Sequence, residues 1–207
     1  MAVRSIHFIA GLLVLTATAA PAAHAVEPAA LPSGTYLFDP GHTRVTWSVS
    51  HLGYSTYTGL VPQVRGSLRI DPAHPEAARL DAQVPMTLIT SLDPSLDRRL
   101  HGGQFFAVGR YPTARYEASS LIMTGPGRAR LDGMLTLCGV THPVAMNVVF
   151  GGAGTDPVDG RLTVGFSGAA IVRRSSFGVV AYVPLVGDDV SLTLEAELKP
   201  QPTEKIP

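Results

Sequence analysis

Cysteine is nearly absent from this chain of 207 residues, since Cys138 is its single one. A disulfide needs two cysteines, so no bond within one chain can staple the fold, which must rest on the packing of its core. Cys138 follows Leu137 at the end of an apolar run, a position that favours a small buried or half-buried side chain. Pairing of an exposed thiol between two chains is the alternative.

Charge is also scarce. Asp, Glu, Lys and Arg make up 15% of the residues, against roughly 25% in typical soluble domains, and the formal net charge is zero. A protein that binds nucleic acid through its phosphates needs a basic face, and nothing in this composition supplies one. We therefore expect no nucleic-acid partner.

The motifs of several common enzyme classes are missing as well. The sequence contains no Gly-x-Ser-x-Gly elbow and no glycine-rich loop with the lysine that cradles a phosphate. Beyond residue 25 the histidines are His42, His51, His74, His101 and His142, and none has the spacing of metal ligands within one element. We expect a non-catalytic protein without a metal or a cofactor.

The first 25 residues have the composition of a secretory signal peptide. A basic start precedes an apolar run from Ile6 to Ala20, and Ala23-His24-Ala25 offers small residues to a signal peptidase. The apolar run of about 15 residues is shorter than the roughly 20 that span a bilayer. We expect cleavage near Ala25, a periplasmic location, a mobile leader over residues 26–34 and a tail over residues 200–207.

What the chain has in abundance is alternation of apolar and polar residues. Leu131, Leu135 and Leu137 share one face of a strand, and the period of two resumes after a turn at Gly139. Alternation interrupted by Gly, Thr or Pro is typical of antiparallel strands. The same pattern predicts strands over residues 35–50, 58–70, 78–90 and 113–124, two more within 128–150, and the last two over 161–173 and 190–198.

Residues 91–112 do not alternate. Leu92, Leu96 and Leu100 recur at helical spacing, and Asp93 or Ser95 is placed to cap a short helix. The glycine-rich stretch GGQFFAVGRYP follows. We predict one or two short helices inserted between strands, lying across or beside the mouth of a barrel.

The strand pattern as a whole predicts one closed or nearly closed antiparallel barrel. Its second face carries polar residues such as Thr46 and Glu195 rather than the outward apolar band of an outer-membrane barrel, so we expect water on the outside. A barrel of this size either fills its interior with side chains or holds one small ligand. Gly133, Gly168 and Ala170 interrupt apolar runs and favour space inside.

Five stretches of the chain carry a family resemblance: YLFDPGHTRVTWSVSHLGYS, GSLRIDP, GGQFFAVGRYPTARYEASS, GMLTLCGVTHPVAMNV and RRSSFG. In this order, after a signal peptide, they resemble the YceI-like polyisoprenoid-binding proteins over roughly residues 35–199. The resemblance implies an all-β fold, an eight-stranded antiparallel lipocalin-like barrel with one or two short helices inserted between strands. It also implies an apolar channel for a long isoprenoid chain, such as a quinone tail or a polyprenyl phosphate.

One segment departs from the family pattern. Family members commonly carry Arg-Asp-x-His-Leu before the double aromatic, whereas this chain has Leu96-Asp97-Arg98-Arg99-Leu100. The Arg and His positions are therefore replaced, although Arg99 and His101 lie close enough to substitute in kind.

The candidate ligand-binding residues are apolar side chains expected to face the channel, with polar groups near its mouth. The apolar candidates are Trp47, Val49, Tyr54, Leu88, Leu100, Phe105, Phe106, Leu135, Met146, Phe166 and Phe177. Each buried methylene contributes about 0.8 kcal/mol, so a long tail needs shape more than polar chemistry. His51 is a candidate for a hydrogen bond to a quinone carbonyl or a phosphate, and Arg174 with Ser175 for a phosphate head. The alternatives are a core histidine and a solvated loop anchored by Phe177.

Three hypotheses for the function follow. The favoured one is a carrier or scavenger of an isoprenoid or similar amphiphile, a monomer or homodimer with transient contact to a membrane or a respiratory protein. The second is an enzyme or metal site in a lipocalin-like shell, using His51, His101 and His42. The third is a structural or stress-associated module with a filled barrel.

Overall fold

The computed structural model describes residues 30–202, and the predicted signal peptide lies outside them, as does part of the predicted leader and of the tail. The strands are β1 (Gly34–Phe38), β2 (Arg44–His51), β3 (Ser55–Val61), β4 (Arg65–Ile70), β5 (Arg79–Pro85), β6 (Thr113–Gly125), β7 (Arg128–Leu137), β8 (Val140–Thr155), β9 (Leu162–Arg173) and β10 (Val186–Pro200). The α-helix of the described part, α1 (Pro94–His101), lies between β5 and β6, and 3₁₀ turns cover Pro75–Ala77, Met86–Leu88 and Arg174–Phe177. No helix of this part is long and apolar enough to cross a membrane.

These ten segments form a barrel of eight antiparallel strands, because two barrel strands are each interrupted and count as two segments. The first consists of β1 and β2, and the second consists of β3 and β4. β1 and β2 pair in succession with β10, Phe38 opposite Leu198 and Val45 opposite Leu194. In the same way β3 pairs with β2, and β4 pairs with β1. The ring then runs from β4 through β5, β6, β7, β8 and β9 to β10, which closes it against β1. The predicted eight-stranded antiparallel barrel is confirmed.

Several predicted strand limits are wrong. The strand predicted over residues 35–50 is broken at 39–43, where the backbone N–H of His42 donates to the Asp39 carbonyl at 3.1 Å. β3 begins at Ser55 rather than near 58, and β5 ends at Pro85, after which the chain turns. Across residues 39–43 the inward side chains change from even positions, Tyr36 and Phe38, to odd positions, Val45 and Trp47, and the prediction of one continuous strand overlooked this change of phase.

The helix α1 was correctly predicted, with Asp93 as its cap. The Asp93 carboxylate accepts a hydrogen bond from the backbone N–H of Ser95 at 2.8 Å. Asp97 ties the helix to the preceding segment, since it accepts from the hydroxyl of Thr90 at 2.6 Å. Thr90 and Leu60 in turn exchange two backbone hydrogen bonds of 2.9 Å. The segment from residue 86 to 101 therefore covers the edge of β3 that faces away from β2.

The two ends of the barrel differ. At one end, called the base, β10 finishes and β9 begins, and the interior is filled by buried side chains, among them Tyr36, Leu68, Leu131, Val164 and Leu198. The rings of Phe150 and Phe166 pack edge to face there, with centroids 5.6 Å apart. At the other end, called the mouth, lie the β2–β3 turn, the β5–β6 connection with α1, the β7–β8 turn and the β9–β10 connection.

Candidate functional site

A cavity of about 440 Å³ occupies the barrel above the packed base. Ligand pockets in proteins measure roughly 300–1,000 Å³, so this volume is in the usual range. Strand alternation builds the wall, because every second residue of a strand points inward. On β10 the inward residues are Val190, Leu192 and Leu194, and the lowest parts of the wall include Phe38 and Val64. The third hypothesis, a filled barrel, therefore fits the base but not the upper half.

The wall is almost entirely apolar. Among the described residues that line the cavity there is no Asp, Glu, Lys, Ser, Thr or Cys. The polar groups are the side chains of Trp47, His51, Tyr57, Arg99, Tyr116, Arg174 and Tyr182. The hydroxyl of Tyr116 donates to the Val144 carbonyl at 2.9 Å, and burial raises the pKa of Tyr116 to about 12. Tyr116 is thus a neutral, hydrogen-bonded part of the wall at physiological pH.

Trp47 is the largest side chain in the wall of β2. Its ring lies over Gly59 of β3, where a Cβ would come within 2.2 Å of it, and stacks on Tyr57 with centroids 6.4 Å apart. The indole Nε1 is buried and has no hydrogen-bond partner among residues 30–202. Glycine at position 59 therefore makes room for the indole.

The cavity opens at the mouth, between three segments of the chain. Leu52 of the β2–β3 turn, Arg99 of α1, and Tyr182 and Leu185 of the β9–β10 connection line it and also face the solvent. The backbone N–H of Leu52 donates to the Leu185 carbonyl at 2.7 Å, which joins the turn to the connection. Exposure of 44% for Leu52 and 62% for Leu185 gives the opening an apolar rim.

Arg174 lies in the wall but its guanidinium is occupied. Nε donates to the Gly187 carbonyl at 2.8 Å, Nη1 to those of Val179 and Ala181 at 2.9 Å, and Nη2 to that of Val186 at 2.8 Å. The hydroxyl of Ser175 is likewise bound to Asp188 at 2.7 Å, and Ser175 does not line the cavity. A phosphate contact of the kind predicted for this pair would have to break these bonds.

The structure brings most of the other candidates together. Those that line the cavity are Trp47, Val49, His51, Leu100, Phe105, Phe106, Leu135 and Met146, besides Arg174. Their contact with a ligand stays a prediction.

Four further candidates lie elsewhere. Tyr54 is 89% exposed in the β2–β3 turn, and Leu88 is exposed in a 3₁₀ turn. Phe166 packs at the base, and Phe177 is buried against His142 with ring centroids 5.3 Å apart. These four were predicted from an apolar side chain near a strand or loop, which does not distinguish the channel from the core.

The small residues thought to leave space do so only in part. A Cβ on Gly133 would lie 2.5 Å from the ring of Tyr116, which fills that space. A Cβ on Gly168 would lie 2.9 Å from the sulfur of Met146. Gly168 and Ala170 do line the cavity, so they widen it while giving Met146 room.

The family model of the YceI-like domain matches residues 36–198. The chain belongs to the YceI-like family. A UPF0312 protein of Ectopseudomonas mendocina is 31% identical to it over 156 residues, which cover 75% of this chain and 81% of that protein.

Two solved structures share the fold of this YceI-like protein. The first is BcnA of Burkholderia cenocepacia, with a TM-score of 0.70 at 19% identity, covering 77% of this chain and 98% of that one. The second is a polyisoprenoid-binding domain from Saccharophagus degradans implicated in plant cell wall breakdown. Its TM-score is 0.60 at 10% identity, covering 80% of this chain and 98% of that one.

Sequence reasoning missed several residues of the mouth of this YceI-like barrel. Tyr57 was missed because the strand around it was predicted to begin one residue later. Arg99 was named only as a substitute within the family pattern and not as a candidate, although it follows Leu96 by three positions and therefore lies near the same face of α1. Tyr182 and Leu185 belong to a connection without periodicity, and no sequence pattern marks them.

The histidines of the second hypothesis are not grouped in the YceI-like barrel. The Nε2 atom of His101 lies 3.0 Å from the carbonyl oxygen of Ile89, and His101 does not line the cavity. In residues 30–202 the group with metal-ligand spacing is Asp39, His42 and Glu197, which includes neither His51 nor His101. The ammonium of Lys199 lies 3.4 Å from Asp39 and already supplies a positive charge there.

Proposed function

We propose that this YceI-like barrel binds one long-chain amphiphile of the isoprenoid type, a quinone or a polyprenyl phosphate, with its tail in the cavity. The observation that carries the proposal is an apolar cavity that is open at the mouth and closed by packed side chains at the base. At about 0.8 kcal/mol per buried methylene, a tail of several isoprene units binds such a wall without any hydrogen bond. A polar head then stays at the mouth, where the polar side chains are.

We propose that the bound molecule is carried or sequestered rather than converted. Among the described residues of the wall there is no carboxylate, Ser or Thr hydroxyl, thiol or amine to act as nucleophile, so the imidazole of His51 has none of these groups there to activate. The likeness in fold to a polyisoprenoid-binding domain also supports a binding role. The signal-peptide composition of residues 1–25 supports a periplasmic location for it.

The rim suggests how such a ligand enters and leaves. Exposed apolar side chains lie beside the opening on the β2–β3 turn and on the β9–β10 connection. They are Leu52, Tyr54, Val180, Tyr182, Val183 and Leu185. A contiguous exposed apolar patch is a common mark of contact with a membrane or another protein. We propose that this rim touches a membrane, or a respiratory protein that hands over a quinone, so that the tail moves without crossing water.

A matched pair of variants on β9 tests the binding site. Ala170 faces the cavity and its neighbour Ala169 faces the solvent. Ala170→Phe fills the cavity and should abolish retention of an isoprenoid, whereas Ala169→Phe should leave it unchanged. Native mass spectrometry of protein purified from a membrane-containing bacterial extract, then mixed with added polyprenol, measures the retained mass.

Two results would contradict the proposal. The first is protein that stays free of ligand in the extract and after addition of polyprenol. The second is equal retention by Ala170→Phe and Ala169→Phe, because the ligand would then lie outside the cavity.

A further inference from the structure

The charges that line the cavity are all of one sign. Arg99 and Arg174 line it, and no Asp or Glu of the described residues does. A charge beside an apolar cavity is poorly screened by water, so its sign selects among ligands. The two arginines differ in whether a ligand can reach their guanidinium groups.

Arg174 is not available to a ligand. The residue is 6% exposed, and its guanidinium donates four hydrogen bonds to backbone carbonyls of the β9–β10 connection and the start of β10. Its role is to hold that connection in place.

Arg99 is available. It is exposed in the last turn of α1, lines the cavity at its opening, and has no carboxylate within 4.0 Å in the part of the chain that the structure describes. Asp97 on the same helix is bound to the hydroxyls of Thr90 and Ser91. Asp93 caps the helix at its opposite end. Within residues 30–202 the positive charge of Arg99 is thus left without a partner of opposite sign.

The surroundings of Arg99 hold its guanidinium in one place. An Nη2 group donates to the hydroxyl of Tyr182, and the guanidinium carbon lies 5.5 Å from the centroid of the same ring. Tyr182 also packs against Phe105, a cavity residue, with centroids 6.2 Å apart. A guanidinium restrained in this way loses less freedom when it binds an anion than a free surface arginine does.

We propose that the amphiphile bound in the cavity has an anionic head, a phosphate or a carboxylate, and that Arg99 binds it at the mouth. This inference rests on the proposed function, and it deepens it by favouring an anionic head over the neutral ring of a quinone. The donors of Arg99 that do not reach Tyr182 form charge-assisted hydrogen bonds to the oxygens of the head. The tail then extends from α1 toward the base along apolar residues only.

Three probes that share one tail and differ in the head group show how much the head contributes to the affinity. They are geranylgeraniol, geranylgeranoic acid and geranylgeranyl monophosphate. For the wild-type protein we expect the monophosphate or the acid to bind roughly 10-fold or more tightly than the alcohol, since charge-assisted hydrogen bonds are stronger than those to a neutral hydroxyl. The ratio between the two anions identifies which head is preferred. Raising the salt concentration should reduce the advantage of the anions and leave the alcohol unaffected.

Arg99→Gln should bring the anions close to the affinity of the alcohol, and should leave the affinity of the alcohol itself unchanged. Arg99→Lys should retain part of the preference, since charge remains but the planar fork is lost. The matched control is Arg98→Gln, which removes an exposed charge from the same helix at a residue that does not line the cavity. Thermal unfolding of each variant checks that the barrel is intact.

The outcomes distinguish this inference from the proposed function. Equal affinity of wild-type protein for all three probes would overturn the role of Arg99 and leave isoprenoid binding standing. Equal loss in Arg98→Gln and Arg99→Gln would also overturn it, because a general surface potential would then explain the preference. No binding of any probe would overturn the proposed function itself.

Discussion

The ammonium of Lys199 lies 2.6 Å from a carboxylate oxygen of Asp159 at the base of the barrel. A second carboxylate, that of Asp156, accepts from the same ammonium at 2.9 Å. Lys199 belongs to β10, and the two aspartates belong to the connection between β8 and β9. The cluster therefore joins the last strand to a loop at the closed end of the cavity.

Replacing Lys199 by Met should lower the free energy of unfolding at pH 7. It should also reduce the loss of that free energy between pH 7 and pH 3. Hydrogen bonds from Lys199 hold the pKa values of Asp156 and Asp159 below their ordinary 3.8. The stability that this contributes is present above the unfolded-state value and is lost as the pH falls through the lowered folded-state values. Urea unfolding at pH 7 and pH 3 measures both effects. Arg128→Met, which removes an exposed charge on β7, is the control.

The same acid dependence in Lys199→Met and in the wild-type protein would show that the aspartates owe their low pKa to other partners. A loss of equal size in Arg128→Met would point to net charge rather than to the cluster.

Truncation of two leucines of β10 to alanine should cost different amounts of unfolding free energy, because one leucine lies in the packed base and the other lines the open cavity. Leu198 is 2% exposed in the base, and Leu192 lines the cavity. Leu198→Ala removes contacts on all sides and should cost about 2–5 kcal/mol of unfolding free energy. Leu192→Ala removes a half-buried side chain that already borders open space and so makes fewer contacts, and it should cost less than Leu198→Ala. Chemical denaturation of the two variants measures the difference, and equal losses would mean that the upper barrel is packed.

The barrel could be predicted from sequence because alternation is a local property that burial on one face enforces. Leu131, Leu135 and Leu137 do face inward, and Asp93 does cap the helix. The breaks at 39–43 and after Pro85 had local signals, the turn dipeptide Pro40-Gly41 and Pro85 itself, but the alternation on both sides was given more weight. Sequence therefore gives the faces of the strands better than their ends.

The site was predicted only in part for a related reason. Met146 and Phe166 are both inward apolar residues of the barrel, yet Met146 lines the cavity and Phe166 fills the base. Their depth along the barrel axis decides between the two, and depth follows from the register of pairing rather than from any one strand. Arg174 was predicted to bind phosphate because a sequence shows a charge but not the carbonyls around it.

Arg174 should prove essential for the order of the β9–β10 connection. Arg174→Lys keeps the charge but loses the planar fork that reaches four carbonyls, so we expect a loss of about 2 kcal/mol or more. Hydrogen exchange should show faster exchange over residues 179–187, at the mouth. Arg173→Lys, at an adjacent exposed side chain, is the control and should leave both measurements unchanged. Unaltered exchange in Arg174→Lys would mean that the carbonyls find other donors.

Gly59 of β3 marks where the segment containing α1 is held against the barrel wall. A Cβ at this position would lie 2.2 Å from the carbonyl oxygen of Thr90 and 2.2 Å from the ring of Trp47. The ring can move, but the carbonyl belongs to the bridge between Thr90 and Leu60. Gly59→Ala should therefore push the segment away from β3, lower the unfolding free energy by roughly 1–3 kcal/mol and speed amide exchange at both bridge residues. The control is Gly154→Ala, where a Cβ would meet no atom within 4 Å.

A double variant identifies which of the two contacts matters at Gly59. Trp47→Leu combined with Gly59→Ala removes the clash with the ring and leaves the clash with the Thr90 carbonyl in place. The Thr90 carbonyl accepts one of the two backbone hydrogen bonds that join Thr90 to Leu60, so it cannot rotate away as a side chain can. The double variant should therefore stay destabilised relative to Trp47→Leu alone, and exchange at Leu60 should stay fast. Recovery of the stability and the protection of Trp47→Leu would show instead that the indole alone requires glycine, and that the wall beside α1 is looser than the bridge implies.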